Sequence, residues 1–139
     1  MNGKERLINY LRLLRVTTLV AAAACAASAI AGPVSPGVWG GPDGNLTVYA
    51  DSATLDLPCA AGRIQQAVVA DTDGTFDLPG FYAPQAGPVQ AGGPLWQPAR
   101  FQGSHTGGDI TLTIVLSDTV SVGPLTFHQG TVGTFPRCL

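Results

Sequence analysis

Asp71-Thr72-Asp73-Gly74, followed by Asp77, is the stretch where carboxylates crowd most closely. Three aspartates around a glycine supply part of what a calcium loop needs. The full loop takes more oxygen ligands, including a late bidentate glutamate, and no glutamate follows Glu5. Asp-Gly between two alternating runs is also a strong hairpin signal, so the expected role is a turn and no metal is assigned. The histidines are His105 and His128. His105 lies in GSHTGGD, which reads as a turn, and His128 follows Phe127 on the opposite face of a strand. A metal would need both, with Asp109 or another ligand, and their spacing gives no support for that. The expectation is two solvated surface histidines. Serine, histidine and aspartate are all present, but no G-x-S-x-G elbow accompanies them. No catalytic residue and no cofactor is assigned, and a hydrolase stays only as an alternative.

The three cysteines are more informative. Cys25 lies in an N-terminal stretch that reads as an export signal. Lys4, Arg6, Arg12 and Arg15 form its basic part, Val16 to Ala31 carries no charge, and Ala29-Ile30-Ala31 suits a cleavage site. Residues 1–31 are therefore expected to be a secretory signal peptide, with a short linker over 32–38 and the domain over 39–139. Ala22-Ala23-Ala24 before Cys25 resembles a bacterial lipoprotein signal, which implies cleavage before Cys25 and a lipid on its sulfur. Simple cleavage near Ala31 is the preferred reading. The protein would then be secreted or periplasmic, and membrane-anchored only if Cys25 is lipidated. Cys59 and Cys138 remain, and two cysteines in an oxidising compartment most simply pair. A bridge over a loop of that length stabilises by about 4–5 kcal/mol in the chain-entropy picture, and it would hold down a terminus that otherwise frays. There is no C-x-x-C to suggest redox chemistry.

After residue 31 the positive residues are Arg63, Arg100 and Arg137, against eight aspartates, for a net charge of −5. Nucleic acid, whose backbone demands a basic footprint, is excluded as a partner. Some 108 residues make one domain, expected to be a monomer.

The elements that must position these residues alternate with period two. In Asp109 to Ser117, Ile110, Leu112, Ile114 and Leu116 share one face. Leu46 to Ala50 and Ala53 to Cys59 alternate likewise, which would turn Cys59 toward the core. Weaker candidates are Arg63–Ala70, Thr75–Tyr82, Ala99–Ser104, Pro124–His128 and Thr131–Arg137. The fold class is all-β: an antiparallel meander of about eight short strands, closed as a small barrel or pressed into a sandwich. Ala83 to Pro98 breaks the rhythm with a run of Pro and Gly and reads as a long surface loop. Such loops on β scaffolds often carry function. Trp96, with Phe81 and Tyr82, is the candidate surface for a protein partner.

Gly37-Val38-Trp39 opens the first strand region, and Arg137 lies near the end. This resembles the calycin barrels, the lipocalin and avidin group. The resemblance implies Trp39 plugging the barrel floor with Arg137 stacked across it as a cation–π partner. The chain also resembles small exported bacterial domains with a G-x-W-G-G opening, a mid-chain cysteine, a D-x-D-G turn and a C-terminal cysteine. That likeness implies a fold and a compartment and brings no activity. The functional expectation is a structural or interaction module of the cell envelope or medium. It would bind a protein partner through surface loops, and the alternative is a barrel holding a small apolar ligand.

Overall fold

The computed structural model of the chain describes residues 28–85, 88, 91–136 and 138. Cys25 and Arg137, and with them the lipid site and the expected stack, lie outside the described residues, as does most of the expected signal. Ten strands follow in order: β1 Gly32–Pro33, β2 Gly37–Gly41, β3 Gly44–Val48, β4 Ala53–Leu57, β5 Ala60–Ile64, β6 Val69–Ala70, β7 Thr75–Pro84, β8 Gln97–Thr106, β9 Asp109–Val115 and β10 Ser121–Gln129. Eight of them close a barrel in the order β10-β2-β3-β4-β5-β7-β8-β9, with every neighbouring pair antiparallel. β1 and β6 stand outside this up-and-down sequence and pair with each other. The fold is a closed barrel and not a sandwich.

Alternation decides which side chains fill it. Leu46 and Val48 of β3, Leu55 and Leu57 of β4, and Ile110, Leu112 and Ile114 of β9 are all buried. Trp39, Phe101 and Phe127 have no accessible surface. Eight strands leave an interior just wide enough for side chains, and glycines make room for the rings. A methyl group at Gly80 would stand 2.6 Å from the Phe101 ring, and one at Gly62 would stand 3.0 Å from it. The Phe76 ring lies in the same way against Gly103, its cross-strand partner. Large residues facing small ones in this pattern fill a small barrel with side chains.

Three strand assignments differ from the sequence expectation. Gly37–Gly41 is itself a barrel strand, paired along its whole length with β3. The expected strand Arg63–Ala70 is divided: β5 ends before the exposed Gln65 and Gln66, and only Val69–Ala70 resumes as β6. The expected strand Thr131–Arg137 is not a strand among its described residues. β10 already closes the sheet on β2 through His128↔Gly40 and Gln129↔Trp39, so no edge remains for it. The segment turns instead over the outside of β2 and β3. Asn45 clamps it as a backbone would: its Nδ2 donates to the Gly133 carbonyl at 3.2 Å, and its Oδ1 accepts from the Gly133 amide at 2.7 Å. A side chain at Gly40 would collide with the Thr131 carbonyl and the Gly133 amide.

The strap ends in a disulfide between Cys138 and Cys59, with Cα atoms 5.0 Å apart and a sequence separation of 79. Cys59 is not on the core face of a strand. Leu57 pairs with Ala60, so Pro58 and Cys59 form the two-residue β4–β5 turn, and Cys59 is exposed. Its φ is +78°. Proline followed by a residue with positive φ is the pattern of a type II turn, where glycine usually takes the second place. The left-handed conformation costs a non-glycine residue about 1–2 kcal/mol, which the bridge offsets. A disulfide belongs to an oxidising, non-cytoplasmic setting.

The N-terminal residues described also join the fold. Ala29 bridges to Thr106, the Ile30 amide donates to the His105 carbonyl at 3.0 Å, and Val34 is 3% exposed with its amide donating to the Val68 carbonyl. Part of the expected linker is thus β1 and core.

Two outcomes follow from this packing. Gly80→Ala should lower the unfolding free energy by about 1–3 kcal/mol through overpacking against the Arg63 carbonyl and the Phe101 ring, measured by denaturant unfolding; an unchanged midpoint would show that neither is seated there. Cys138→Ser should lower the thermal midpoint of the oxidised protein, with up to about 4 kcal/mol lost, and reductant should then have no further effect on it.

Candidate functional site

The outer wall of the barrel is where unusual side chains meet. Arg63 on β5 stands directly opposite Phe81 on β7. Both point outward, since their neighbours Gly62, Ile64, Gly80 and Tyr82 are buried. The Arg63 guanidinium carbon lies 5.2 Å from the centre of the Phe81 ring and 4.3 Å from that of Trp96. A guanidinium at such distances from an aromatic face gains about 0.5–1 kcal/mol per ring at a partly exposed site. The Nε atom of Arg63 is covered and has no hydrogen-bond partner among the described residues.

Beside this cluster runs a groove of about 540 Å³, floored by Pro79, Phe81, Pro98 and Val115. Gln65 and Gln66 line it where β5 ends, and Ser117 and Asp118 line it beyond the end of β9. The groove exists because strands in a closed barrel are staggered. The β5 ladder on β7 ends at Arg63↔Phe81, and the β9 ladder on β8 ends at Val115↔Arg100. Between those limits the β7–β8 ribbon stands with one neighbour missing on each side. Arg100 also faces the groove, but its Nε donates to Asp77 Oδ1 at 2.9 Å. Both side chains of that pair are about half exposed, and such pairs contribute little stability.

Of the three residues expected on the partner surface, Phe81 and Trp96 come together around Arg63. Tyr82 instead points into the barrel and is buried, and its removal from water raises the phenol pKa above the usual 10.0. Period two decides this: adjacent strand residues face opposite sides. Trp96 does not sit at the tip of the loop. It immediately precedes β8, which places it against the wall. Arg63 went unremarked as a site residue in the sequence. Its signal would have been its rarity, one of three positive residues after residue 31.

Trp39 is fully buried, and its indole Nε1 donates to the Ser35 carbonyl at 3.1 Å. The ring against it is His105, edge to face at 5.3 Å between centroids. His105 is therefore no surface histidine. It lies on β8 opposite Ile110, only 4% exposed, with Nδ1 unpartnered among the described residues. The G-S-H-T run looked like a turn because its glycine and polar residues belong to a strand that continues to Thr106. His128 is exposed as expected, with Nδ1 facing the Asp109 carboxylate across the β9–β10 ladder.

Asp71 turns the chain between β6 and β7. Its Oδ1 accepts from the Asp73 amide at 2.9 Å and the Thr75 amide at 3.1 Å, and the Thr75 hydroxyl reaches both carboxylate oxygens. Gly74 takes φ +74° to complete the turn. The carboxylate is thus occupied by local donors. Those from Thr75, first the amide and then the hydroxyl, hold its pKa below the ordinary 3.8. A carboxyl with a lower pKa folded than unfolded adds stability above the ordinary value, and the contribution disappears as pH falls through the folded one. Asp71→Asn should therefore flatten the fall in thermal midpoint below about pH 4. An unaltered acid limb would show that Asp71 does not carry it.

No family model, curated protein or solved structure matches this chain, so the reading of its outer wall rests on its own geometry.

Proposed function

We propose that this barrel is a binding module of the bacterial envelope or extracellular medium, acting on a protein partner through its outer wall around Trp96, Phe81 and Arg63. The observation that carries the reading is the contrast between the two sides of the wall. Inside, the rings of Trp39, Phe101 and Phe127 are packed with no accessible surface. Outside, two aromatic rings and a guanidinium are held together beside a groove floored by proline and phenylalanine. Aromatic residues and arginine are the side chains most enriched at the energetic centres of protein interfaces. The exposed disulfide accords with an exported protein, whether freed after cleavage or held by a lipid on Cys25.

The small-ligand alternative keeps one observation in its favour. The groove volume lies in the range of small-molecule sites, so such a ligand would bind outside the barrel and not within it.

The test is site-specific photo-crosslinking in the protein's own host. A photo-reactive residue at exposed Gln66, which lines the groove, should give a discrete adduct with one protein, and the same residue at exposed Thr111 should give none. Trp96→Ala should abolish the adduct while leaving thermal unfolding unchanged. Equal crosslinking from both positions would reject this surface as the binding face.

A further inference from the structure

We propose that Arg63 is a carboxylate receptor, and that the partner segment it takes is an extended stretch of polypeptide placing an aspartate or glutamate on Arg63 and apolar residues in the adjoining groove. This rests on the interaction reading given above and names the chemistry of the partner.

Among the described residues the Arg63 guanidinium has no carboxylate, whereas Arg100 is paired with Asp77. Its Nε is already covered and without a hydrogen-bond acceptor. A covered atom is closed to an arriving group, so the carboxylate is taken by the two Nη groups at the end of the guanidinium, which present parallel N–H donors. The guanidinium is also held in advance. Phe81 and Trp96 fix it at 5.2 and 4.3 Å from their ring centres, so little side-chain freedom is lost on binding. Arginine's planar fork matches a carboxylate in two parallel hydrogen bonds, which lysine cannot do.

The groove adds direction. Phe81 belongs both to the Arg63 cluster and to the groove floor, so the two are continuous. The far rim carries Asp118, which repels an acidic residue. A bound segment therefore sets its carboxylate at the Arg63 end and its apolar residues over Pro79 and Pro98. Charge over the whole protein agrees, since a net charge of −5 after residue 31 makes an unpaired cation the exceptional feature of the surface. Addition of the segment as another β-strand is disfavoured. Pro79 and Pro98 stand where the ribbon has lost a neighbour, and proline offers no amide to a new ladder. Recognition is by side chains.

The experiment uses the full exported, oxidised protein and two synthetic heptapeptides with blocked ends. Each has leucine and proline flanking a central residue, aspartate in one and asparagine in the other. Binding is followed by calorimetry and by tryptophan fluorescence, in which Trp96 responds. Hydrogen bonds to a charged partner predict about a tenfold or greater preference for the aspartate peptide, and added salt should reduce that preference. Arg63→Gln should make the two peptides bind alike. Arg63→Lys, which keeps the charge without the fork, should recover only part of the difference. Thermal unfolding of each variant confirms that the barrel is intact. Equal binding of both peptides by the unaltered protein, lost in Trp96→Ala, would overturn the carboxylate receptor and leave the interaction surface standing. Binding of neither peptide at about millimolar concentration would overturn the receptor too, while the crosslinking experiment would judge the surface separately.

Discussion

The Phe101 ring can lie within this barrel only because Gly62 and Gly80 carry no side chain beneath it. Everything else in the wall follows from that seat. An eight-stranded barrel has a narrow interior, and a phenyl ring there must displace something. Two strands give up their side chains at the contact, and the ring fills the space they leave. Phe76 on Gly103 repeats the arrangement within the same β7–β8 hairpin. With the interior filled in this way, the proposed recognition surface is the outer wall.

The hydrophobic rhythm was legible because period two is a local property. Ile110, Leu112 and Ile114 are buried as their alternation requires, as are Leu46, Val48, Leu55, Leu57 and Phe127. The Cys59–Cys138 pairing followed from counting and compartment. What could not be read was anything fixed by neighbours distant in sequence. Arg63 meets Trp96 across 33 positions because β5 and β8 flank the same strand. His105 is buried because the N-terminal residues cover its end of the barrel, the Ile30 amide bonding to its carbonyl. Cys59 missed its expected face by one residue, since Pro58 starts a turn where alternation alone continues a strand. A one-residue change of register moves a side chain to the other face, so such endings govern exposure.

The same staggering that closes the barrel leaves the groove in its outer wall. β5 and β9 leave the β7–β8 ribbon at opposite ends, and proline guards each uncovered stretch. A bare strand edge invites pairing with other chains. Here the edge is blunted while the surface beside it stays aromatic. Arg63 is held there between the Phe81 and Trp96 rings.

The ladder between β10 and β2 has two registered pairs, whereas β7 and β8 share eight. Native proteins open locally where the fewest hydrogen bonds and apolar contacts must be given up, so this join is the weakest seam of the cylinder. The terminal strap passes over that seam. It is clamped at Asn45 and fastened to the turn beyond β4 by the disulfide. The bridge therefore acts as a hoop around the place where the staves are least well joined. Its mechanical role is to suppress breathing of the wall, beyond any entropy it removes from the unfolded chain. A barrel closed by so short a ladder can remain a barrel because its last residues bind it from outside.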